Sequence, residues 1–209
     1  MRMLAVETAS EACCVALFDD GRLIAHEHRV MGRGHAEALV PMIGALPEKG
    51  RADCVLVSLG PGSFTGVRIG LATARALGFA WGAEVRGYPT LALVAAQALH
   101  LHPGAPVTVC MNGGHGEWFV QDFAADGLPT NDLRSLAPDA AVVCGAQERV
   151  AGNRADEFAA LLGNPDRALS LLPDAAKIAC VPEALLTGHL APIYGRGADA
   201  TPMAERKPG

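Results

Sequence analysis

The feature that most limits how this chain can fold is a glycine-rich loop between a predicted strand and a predicted helix. The segment LGPGSFTGVRIG, residues 59–70, follows the apolar run CVLVSL and precedes a helix predicted from about Gly66 to Trp81. Such a loop can hold a phosphate, present a nucleophile or let two backbone segments approach closely. The spacing of its residues distinguishes these three roles.

Catalytic versions of the loop do not match the sequence. A phosphate-binding P-loop needs a lysine after its last glycine, but Val67 follows Gly66. A dinucleotide-binding loop reads GxGxxG, whereas this one reads GxGxxxG and Pro61 lacks an amide hydrogen. A nucleophile elbow at Ser63 would need glycines where Pro61 and Thr65 stand. The sequence therefore predicts no catalytic residue here.

Close packing with a helix cap is the interpretation that the loop favours. Ser63 or Thr65 can accept a hydrogen bond from the first helical amides, and Gly60 and Gly62 permit a positive φ. An anion or nucleotide at the helix N-terminus stays open as the alternative, because free amides and the helix dipole favour negative charge there.

Composition limits the partners. The formal net charge of −5 argues against a chain that binds a nucleic-acid backbone unaided. No apolar run approaches the ~18 residues of a membrane span, and Glu7 interrupts any signal-type N-terminus.

Six cysteines without a CxxC pair indicate buried, reduced thiols of a cytoplasmic protein. The pairs His26/His28 and His100/His102 lack a third ligand at a fixed spacing, so no metal site is predicted.

The order of patterns along the chain predicts an α/β protein in two related parts. Residues 1–30 read as a three-stranded meander, and a helix from His35 to Leu46 should kink or break at Pro41. The segment HPGAP, residues 102–106, resembles a linker, and VTVCMNGGHGEWFVQDF after it repeats the form of the opening strands. We predict an N-terminal subdomain, residues 1–102, and a C-terminal subdomain, residues 103–209, whose tail from Gly195 onward is extended or mobile.

Two helices have more apolar surface than one small core can cover, which predicts an interface with a second chain. The helix that starts at His35 has two apolar stripes, and the helix after the loop has a core stripe and a separate stripe of mixed basic and apolar residues. The predicted interface residues are His35, Leu39, Met42, Ile43, Gly66, Arg68, Ala72, Arg75 and Phe79.

Four segments together resemble the bacterial TsaB (YeaZ) family: ETASEACCVALFDDG, HAEALVPMI, SLGPGSFTGVRIGLATARALGFA and PIYGR. The resemblance is strong over residues 1 to about 100 and looser beyond them. It implies the fold of the actin-like ATPase and sugar kinase (ribonuclease H-like) superfamily, with two related subdomains and mixed sheets. The same resemblance extends to sequences once labelled glycoproteases.

The resemblance also implies a function. Members of this family are non-catalytic scaffold and dimerisation subunits that support a TsaD-type transferase and, with a TsaE-type ATPase, install threonylcarbamoyladenosine in tRNA. We expect a homodimer when the partner is absent, contact with tRNA only through the complex, and no required cofactor, with ATP or ADP confined to a partner interface. A weak nucleotide-binding ATPase of the same fold is the alternative.

Two positions depart from the family pattern. The first strand has Glu7 in ETA where the family reads DTS, and Asn112 stands where an acid is followed by two arginines. Both changes bear on anion binding. The residues of the candidate anion or nucleotide loop are Glu7, Thr8, Gly60, Gly62, Ser63 and Thr65.

Overall fold

Two mixed sheets of five strands each form the framework of the structure, a computed structural model that describes residues 1–195. The first half contains five strands and three helices. The strands are β1 (Arg2–Glu7), β2 (Ala12–Asp19), β3 (Arg22–Val30), β4 (Cys54–Ser58) and β5 (Glu84–Tyr88). The helices are α1 (His35–Ala45), α2 (Phe64–Trp81) and α3 (Thr90–Leu101).

The first sheet has the strand order β3-β2-β1-β4-β5. Its first three strands form an antiparallel meander, as predicted, and β4 and β5 run parallel to β1. Asp20 and Gly21 form the tight turn between β2 and β3, with φ of 45° and 77°. These left-handed values match the twist of a two-residue hairpin, which explains the Asp-Gly pair there.

The second half repeats this plan. Its strands are β6 (Val107–Gly114), β7 (Glu117–Phe123), β8 (Arg134–Leu136), β9 (Arg149–Ala151) and β10 (Ala168–Leu169), and its helices are α4 (Pro138–Cys144) and α5 (Ala155–Leu161). The order β10-β9-β6-β7-β8 has the same topology as the first sheet, again with three antiparallel strands followed by two parallel ones. The internal duplication predicted from the sequence is therefore present in the fold.

Helix α3 joins the two halves through one shared apolar core. Its residues Thr90 to Ala98 are all buried, and the apolar ones among them belong to a cluster that includes Ala5 and Leu56 of the first sheet and Val109 of the second. The two sheets are separated in sequence at the predicted linker, residues 102–106. The division into subdomains 1–102 and 103–209 stays a prediction, since this core contains side chains from both.

Helix α1 corrects one expectation. A single helix runs from His35 to Ala45 with Pro41 inside it, so of the predicted kink or break at Pro41 the break is wrong. Pro41 is exposed, and water can therefore reach the carbonyl of Glu37 that loses its helical donor. The packing of Leu39 and Met42 against the core holds the helix together across this point.

The cysteines agree with the prediction in part. Four are buried free thiols, whereas Cys144 and Cys180 are exposed. Among the helices of residues 1–195, none is long and apolar enough to cross a bilayer. The tail predicted to be extended or mobile lies, beyond Gly195, outside the described residues.

Candidate functional site

The glycine-rich loop packs directly on the chain that leaves β1. A Cβ atom at Gly62 would lie 2.0 Å from the carbonyl oxygen of Ala9, and one at Gly66 would lie 2.0 Å from that of Thr8. The amide of Ser63 donates to the Ala9 carbonyl at 2.7 Å. Glycine is required at these two positions because any side chain would force the backbones apart.

The loop also caps α2. Ser63 Oγ accepts a hydrogen bond from the Gly66 amide at 3.2 Å, which confirms Ser63 as the N-cap, and the hydroxyl of Thr8 donates to the Gly66 carbonyl at 2.8 Å. Gly60 has the positive φ expected of it, 91°, whereas Gly62 does not have a positive φ. The amides of Ser63 and Gly66 thus already have partners within the chain.

Glu7, the first residue of the candidate anion loop, is fully buried. Its Oε1 accepts from the Ala9 amide at 2.6 Å, and its Oε2 lies 3.3 Å from the hydroxyl of Tyr88. Burial raises the pKa of this carboxyl to about 7, although hydrogen bonds from Ala9, Ser58 and Tyr88 oppose the rise. Glu7 is therefore an internal structural carboxyl.

A cleft of about 400 Å³ lies between the two halves, next to the loop. The first half contributes Ala9, Ser10, Glu11, Gly32, Pro61, Gly62, Ser63 and Phe64, and the second contributes Met111, Asn112, Gly113, Gly114, His115 and Asn153. The amide of Asn153 bridges the halves by donating to both carboxylate oxygens of Glu11 at 3.0 Å. The backbone amide of Asn112 in turn donates to Asn153 Oδ1 at 2.8 Å.

The chemistry of this cleft is poor for a polyphosphate. Its lining contains the carboxylate of Glu11 and the imidazole of His115, and among the described residues neither a lysine nor an arginine lines it. A triphosphate would meet like charge at Glu11 without a compensating guanidinium or ammonium. Asn112 also lines the cleft, at the position where the family pattern has an acid followed by arginines.

The structure brings together only part of the candidate anion loop. Gly62 and Ser63 line the cleft, whereas Glu7 and Thr8 are buried beneath it, and Gly60 is buried against Val67 and the carbonyl of Ile193. Thr65 is exposed and faces a separate depression between α1 and α2. These six residues therefore do not form one ligand-binding surface.

Five of the predicted interface residues are buried inside the chain. Leu39, Met42 and Ile43 of α1 are 0%, 1% and 3% exposed and pack in its own core. His35 is buried with Nε2 3.2 Å from the carbonyl of Ala12, and Gly66 packs on Thr8. The prediction that Leu39 and Met42 anchor a partner is wrong, because the first sheet already covers this side of α1.

The other four predicted interface residues are exposed on one side of α2. Arg68, Ala72, Arg75 and Phe79 follow helical spacing, and Phe79 is 93% exposed. Phe64, one turn before Arg68 and 65% exposed, extends this stripe to about 22 Å. We call these five residues the α2 face.

Two contacts orient the arginines of the α2 face. The guanidinium of Arg68 lies 3.2 Å from the centroid of the Phe64 ring and donates to the hydroxyl of Tyr194 at 2.7 Å. Arg75 donates to the carbonyl of Leu190 at 2.7 Å. Phe64 and Tyr194 were not among the predicted interface residues. The four-residue spacing from Phe64 to Arg68 was a signal for the first, whereas Tyr194 is 126 residues from Arg68.

Similarity to known proteins identifies the family of this chain. Residues 28–170 match the family model described as TsaD: tRNA N6-adenosine threonylcarbamoyltransferase. The chain is 36% identical over 133 residues to the tRNA threonylcarbamoyladenosine biosynthesis protein TsaB of Escherichia coli, covering 60% of this chain and 56% of that protein. The solved structure of YeaZ from Pseudomonas aeruginosa superposes with a TM-score of 0.70 at 26% identity, covering 86% and 89% of the two chains.

The chain belongs to the TsaB (YeaZ) family.

Two other relatives cover more of the length. An uncharacterized protein of Mycobacterium tuberculosis is 32% identical over 97% of this chain and 95% of its own. A Pseudomonas aeruginosa protein, described as similar to peptidase YEAZ, has a TM-score of 0.75 at 25% identity, covering 93% of this chain and 99% of that one. The alignment with the Escherichia coli TsaB spans only about half of that protein. The predicted α/β fold, with mixed sheets in two related halves, is confirmed. Its place in the actin-like ATPase and sugar kinase superfamily stays a prediction.

Proposed function

We propose that this chain is a non-catalytic subunit of tRNA threonylcarbamoyladenosine biosynthesis that supports a TsaD-type transferase. Membership of the TsaB family supports the process. The α2 face is the observation that carries the scaffold role. It exposes two phenylalanines and two arginines along one helix, which the described residues 1–195 leave uncovered.

The α2 face has the chemistry of a protein interface. Aromatic and arginine side chains are enriched where protein contacts are strongest, because they bury a large area and hydrogen-bond at their edges. Phe79 supplies an anchor that is 93% exposed, and Arg68 is held in place between Phe64 and Tyr194. We expect the same face to serve the homodimer and the TsaD-type partner, so the two assemblies should compete.

The lack of catalysis in the proposal is supported by the cleft. Within residues 1–195 its lining offers no arginine or lysine for a phosphate, and Glu7 is buried away from it. Transfer of a threonylcarbamoyl group to tRNA would then depend on the TsaD-type partner. The TsaE-type ATPase and tRNA would likewise reach this chain through the complex.

A weak nucleotide-binding ATPase remains the second candidate, since one observation favours it. The cleft volume of about 400 Å³ lies within the range of small-molecule sites, ~300–1,000 Å³. Equilibrium dialysis with ATP and a phosphate-release assay on the isolated chain separate the two candidates. Stoichiometric ATP binding with turnover by the isolated chain would favour the ATPase.

The experiment that tests the proposal is a binding titration between this chain and the TsaD-type protein of the same organism. Isothermal calorimetry would compare the natural chain with Phe79→Asp and with the matched control Val143→Asp, another exposed apolar residue but on α4. We expect Phe79→Asp to weaken binding at least ~30-fold, since a hot-spot residue contributes ~2 kcal/mol or more. Equal binding by all three proteins would contradict the proposed interface.

A further inference from the structure

Three side chains from distant parts of the sequence converge at the edge of the first sheet. Cys14 lies on β2, His26 on β3, and Asp174 directly before the 3-10 helix Ala175–Cys180. Cys14 Sγ lies 3.5 Å from His26 Nε2 and 3.5 Å from Asp174 Oδ1, and the nitrogen and oxygen are 2.8 Å apart. A thiol, an imidazole and a carboxylate thus face one another in a triangle.

The arrangement differs from a nucleophile with a general base. In a catalytic triad, one ring nitrogen of the histidine faces the nucleophile and the other faces the carboxylate. Here the same atom, Nε2 of His26, faces both Cys14 and Asp174. A proton therefore cannot pass through the ring from thiol to carboxylate, and all three ligand atoms surround a common point instead.

The triangle has nearly the dimensions of a tetrahedral zinc site. Bond lengths of about 2.3 Å to sulfur and about 2.0 Å to nitrogen and oxygen place tetrahedral ligands about 3.5 Å apart on the edges with sulfur and about 3.3 Å apart on the nitrogen–oxygen edge. The two observed edges with sulfur are 3.5 Å, and the third has to open by roughly half an ångström from 2.8 Å. A small rotation of the carboxylate supplies that change.

We propose that Cys14, His26 and Asp174 bind a zinc ion, with water in the fourth position. The donor set of thiolate, imidazole and carboxylate is one that zinc accepts. The His26 and Asp174 side chains are 29% and 26% exposed, so the ion can enter and water can reach it from that side. The proposal is independent of the proposed function.

Neighbouring groups hold these ligands in place. The Ala175 amide donates to Cys14 Sγ at 3.3 Å, the Ala176 amide donates to Asp174 Oδ1 at 2.8 Å, and the Asp174 amide donates to Gln97 Oε1 at 3.0 Å. Supporting hydrogen bonds of this kind orient metal ligands. Burial and the Asp174 carboxylate raise the pKa of the Cys14 thiol above its ordinary value, so zinc must displace the thiol proton to solvent.

Zinc at this point would connect β2 and β3 to a segment about 160 residues further along the chain. The cross-link would fasten the last part of the described chain to the meander. A metal that binds only the folded chain stabilises it, so a chelator that removes zinc should lower the melting temperature.

The test is a zinc titration of the chain, purified with a chelator under reducing conditions and competed against a chromophoric zinc indicator. Cys144→Ser and Cys180→Ser in the parent remove the two exposed thiols. Cobalt added in place of zinc gives a second reading, since a thiolate–cobalt bond absorbs in the near ultraviolet. We expect one zinc per chain and a sulfur-to-cobalt band.

Variants then identify the ligands. His26→Gln and Asp174→Asn should each lower zinc affinity at least ~100-fold, more than is lost by changing a residue that only supports a ligand. Cys14→Ser should remove the cobalt band. The control Cys13→Ser changes a buried thiol that packs in the other core cluster, and it should leave both readings unchanged.

Two outcomes would overturn the proposal. One is zinc binding no tighter than millimolar in the parent, which would leave a hydrogen-bonded cluster without a metal. The other is a zinc affinity that His26→Gln leaves unchanged. His26 is partly exposed on β3, so that variant is expected to fold, and its circular dichroism and melting temperature without metal verify this.

Discussion

The hydroxyl of Tyr88 lies 3.3 Å from Oε2 of Glu7, and both side chains are fully buried. The same hydroxyl lies 2.9 Å from the carbonyl of Val6, so its single hydrogen is shared between that carbonyl and the Glu7 carboxylate. The hydrogen bond from Tyr88 favours the ionised carboxylate, but burial outweighs it and raises the pKa of Glu7 to about 7.

Glu7 makes stability depend on pH. The carboxyl binds its proton more tightly in the folded chain than in the unfolded chain. Its contribution to the free energy of unfolding is therefore fully present below about pH 4.5 and is lost as the pH rises to about 7. The loss is roughly 3 kcal/mol. We expect Glu7→Gln to remove this loss. The free energy of unfolding of Glu7→Gln should therefore rise relative to that of the natural chain as the pH increases from about 4.5 to about 7, and the difference should stay constant above pH 7.

Urea unfolding of both proteins at several pH values measures this difference. Glu84→Gln, which changes an exposed carboxylate on β5, serves as the control. A difference between Glu7→Gln and the natural chain that stays constant from pH 5 to pH 8 would show that Glu7 is ionised throughout.

Gly66 and Gly44 form a matched pair of helical glycines. A Cβ at Gly66 would meet the Thr8 carbonyl oxygen at 2.0 Å, whereas one at Gly44 would meet nothing within 4 Å. We expect Gly66→Ala to lower the free energy of unfolding by about 3 kcal/mol or more through overpacking. Gly44→Ala should raise it by ~0.5–1 kcal/mol, because alanine favours a helix. Similar effects of the two changes in thermal melts would refute the close approach of α2 to β1.

Leu39 and Val40 are neighbours on α1, and the first lies in the core whereas the second lies on the surface. Leu39 is fully buried, and Val40 is 59% exposed. Leu39→Ala should cost about 2–5 kcal/mol of stability, and Val40→Ala should change it by less than ~0.5 kcal/mol. Guanidinium unfolding measures both. A Leu39→Ala protein as stable as the natural chain would mean that this side of α1 is not core.

The isolated chain should bind tRNA weakly. Its formal net charge is −5, so it releases few counterions from the phosphate backbone. We expect a Kd above about 1 μM at physiological salt in filter binding, and a shallow dependence on salt concentration. Submicromolar binding by the isolated chain would require a basic surface that its charge balance does not supply.

The sequence predicted the elements and their repetition well, because strands and helices leave local periodicities. The antiparallel meander, the strands before and after α2, and the hairpin after residue 106 could all be predicted directly, whereas β8 was not predicted. The N-cap at Ser63 was also accessible, since capping depends on residues within one turn of each other.

The sequence did not indicate which apolar stripes are buried within the chain and which are exposed. Periodicity identifies a face on α1, but it does not tell whether the covering surface belongs to the same chain. The first sheet covers Leu39 and Met42, whereas the part of the chain that the structure describes leaves Phe79 on α2 uncovered. The meeting of Cys14 with Asp174 was equally hidden, because 160 residues separate them and neither spacing nor composition connects the two segments.

The most direct test of the scaffold account is a reconstituted modification assay with purified components. It combines this chain with the TsaD-type and TsaE-type proteins, tRNA and threonylcarbamoyl-AMP, and measures modified adenosine by mass spectrometry. We expect no product from this chain alone, full activity with the partners, loss of activity with Phe79→Asp, and normal activity with the control Val143→Asp. Modification of tRNA by the isolated chain at a rate comparable with the complete set would contradict the account.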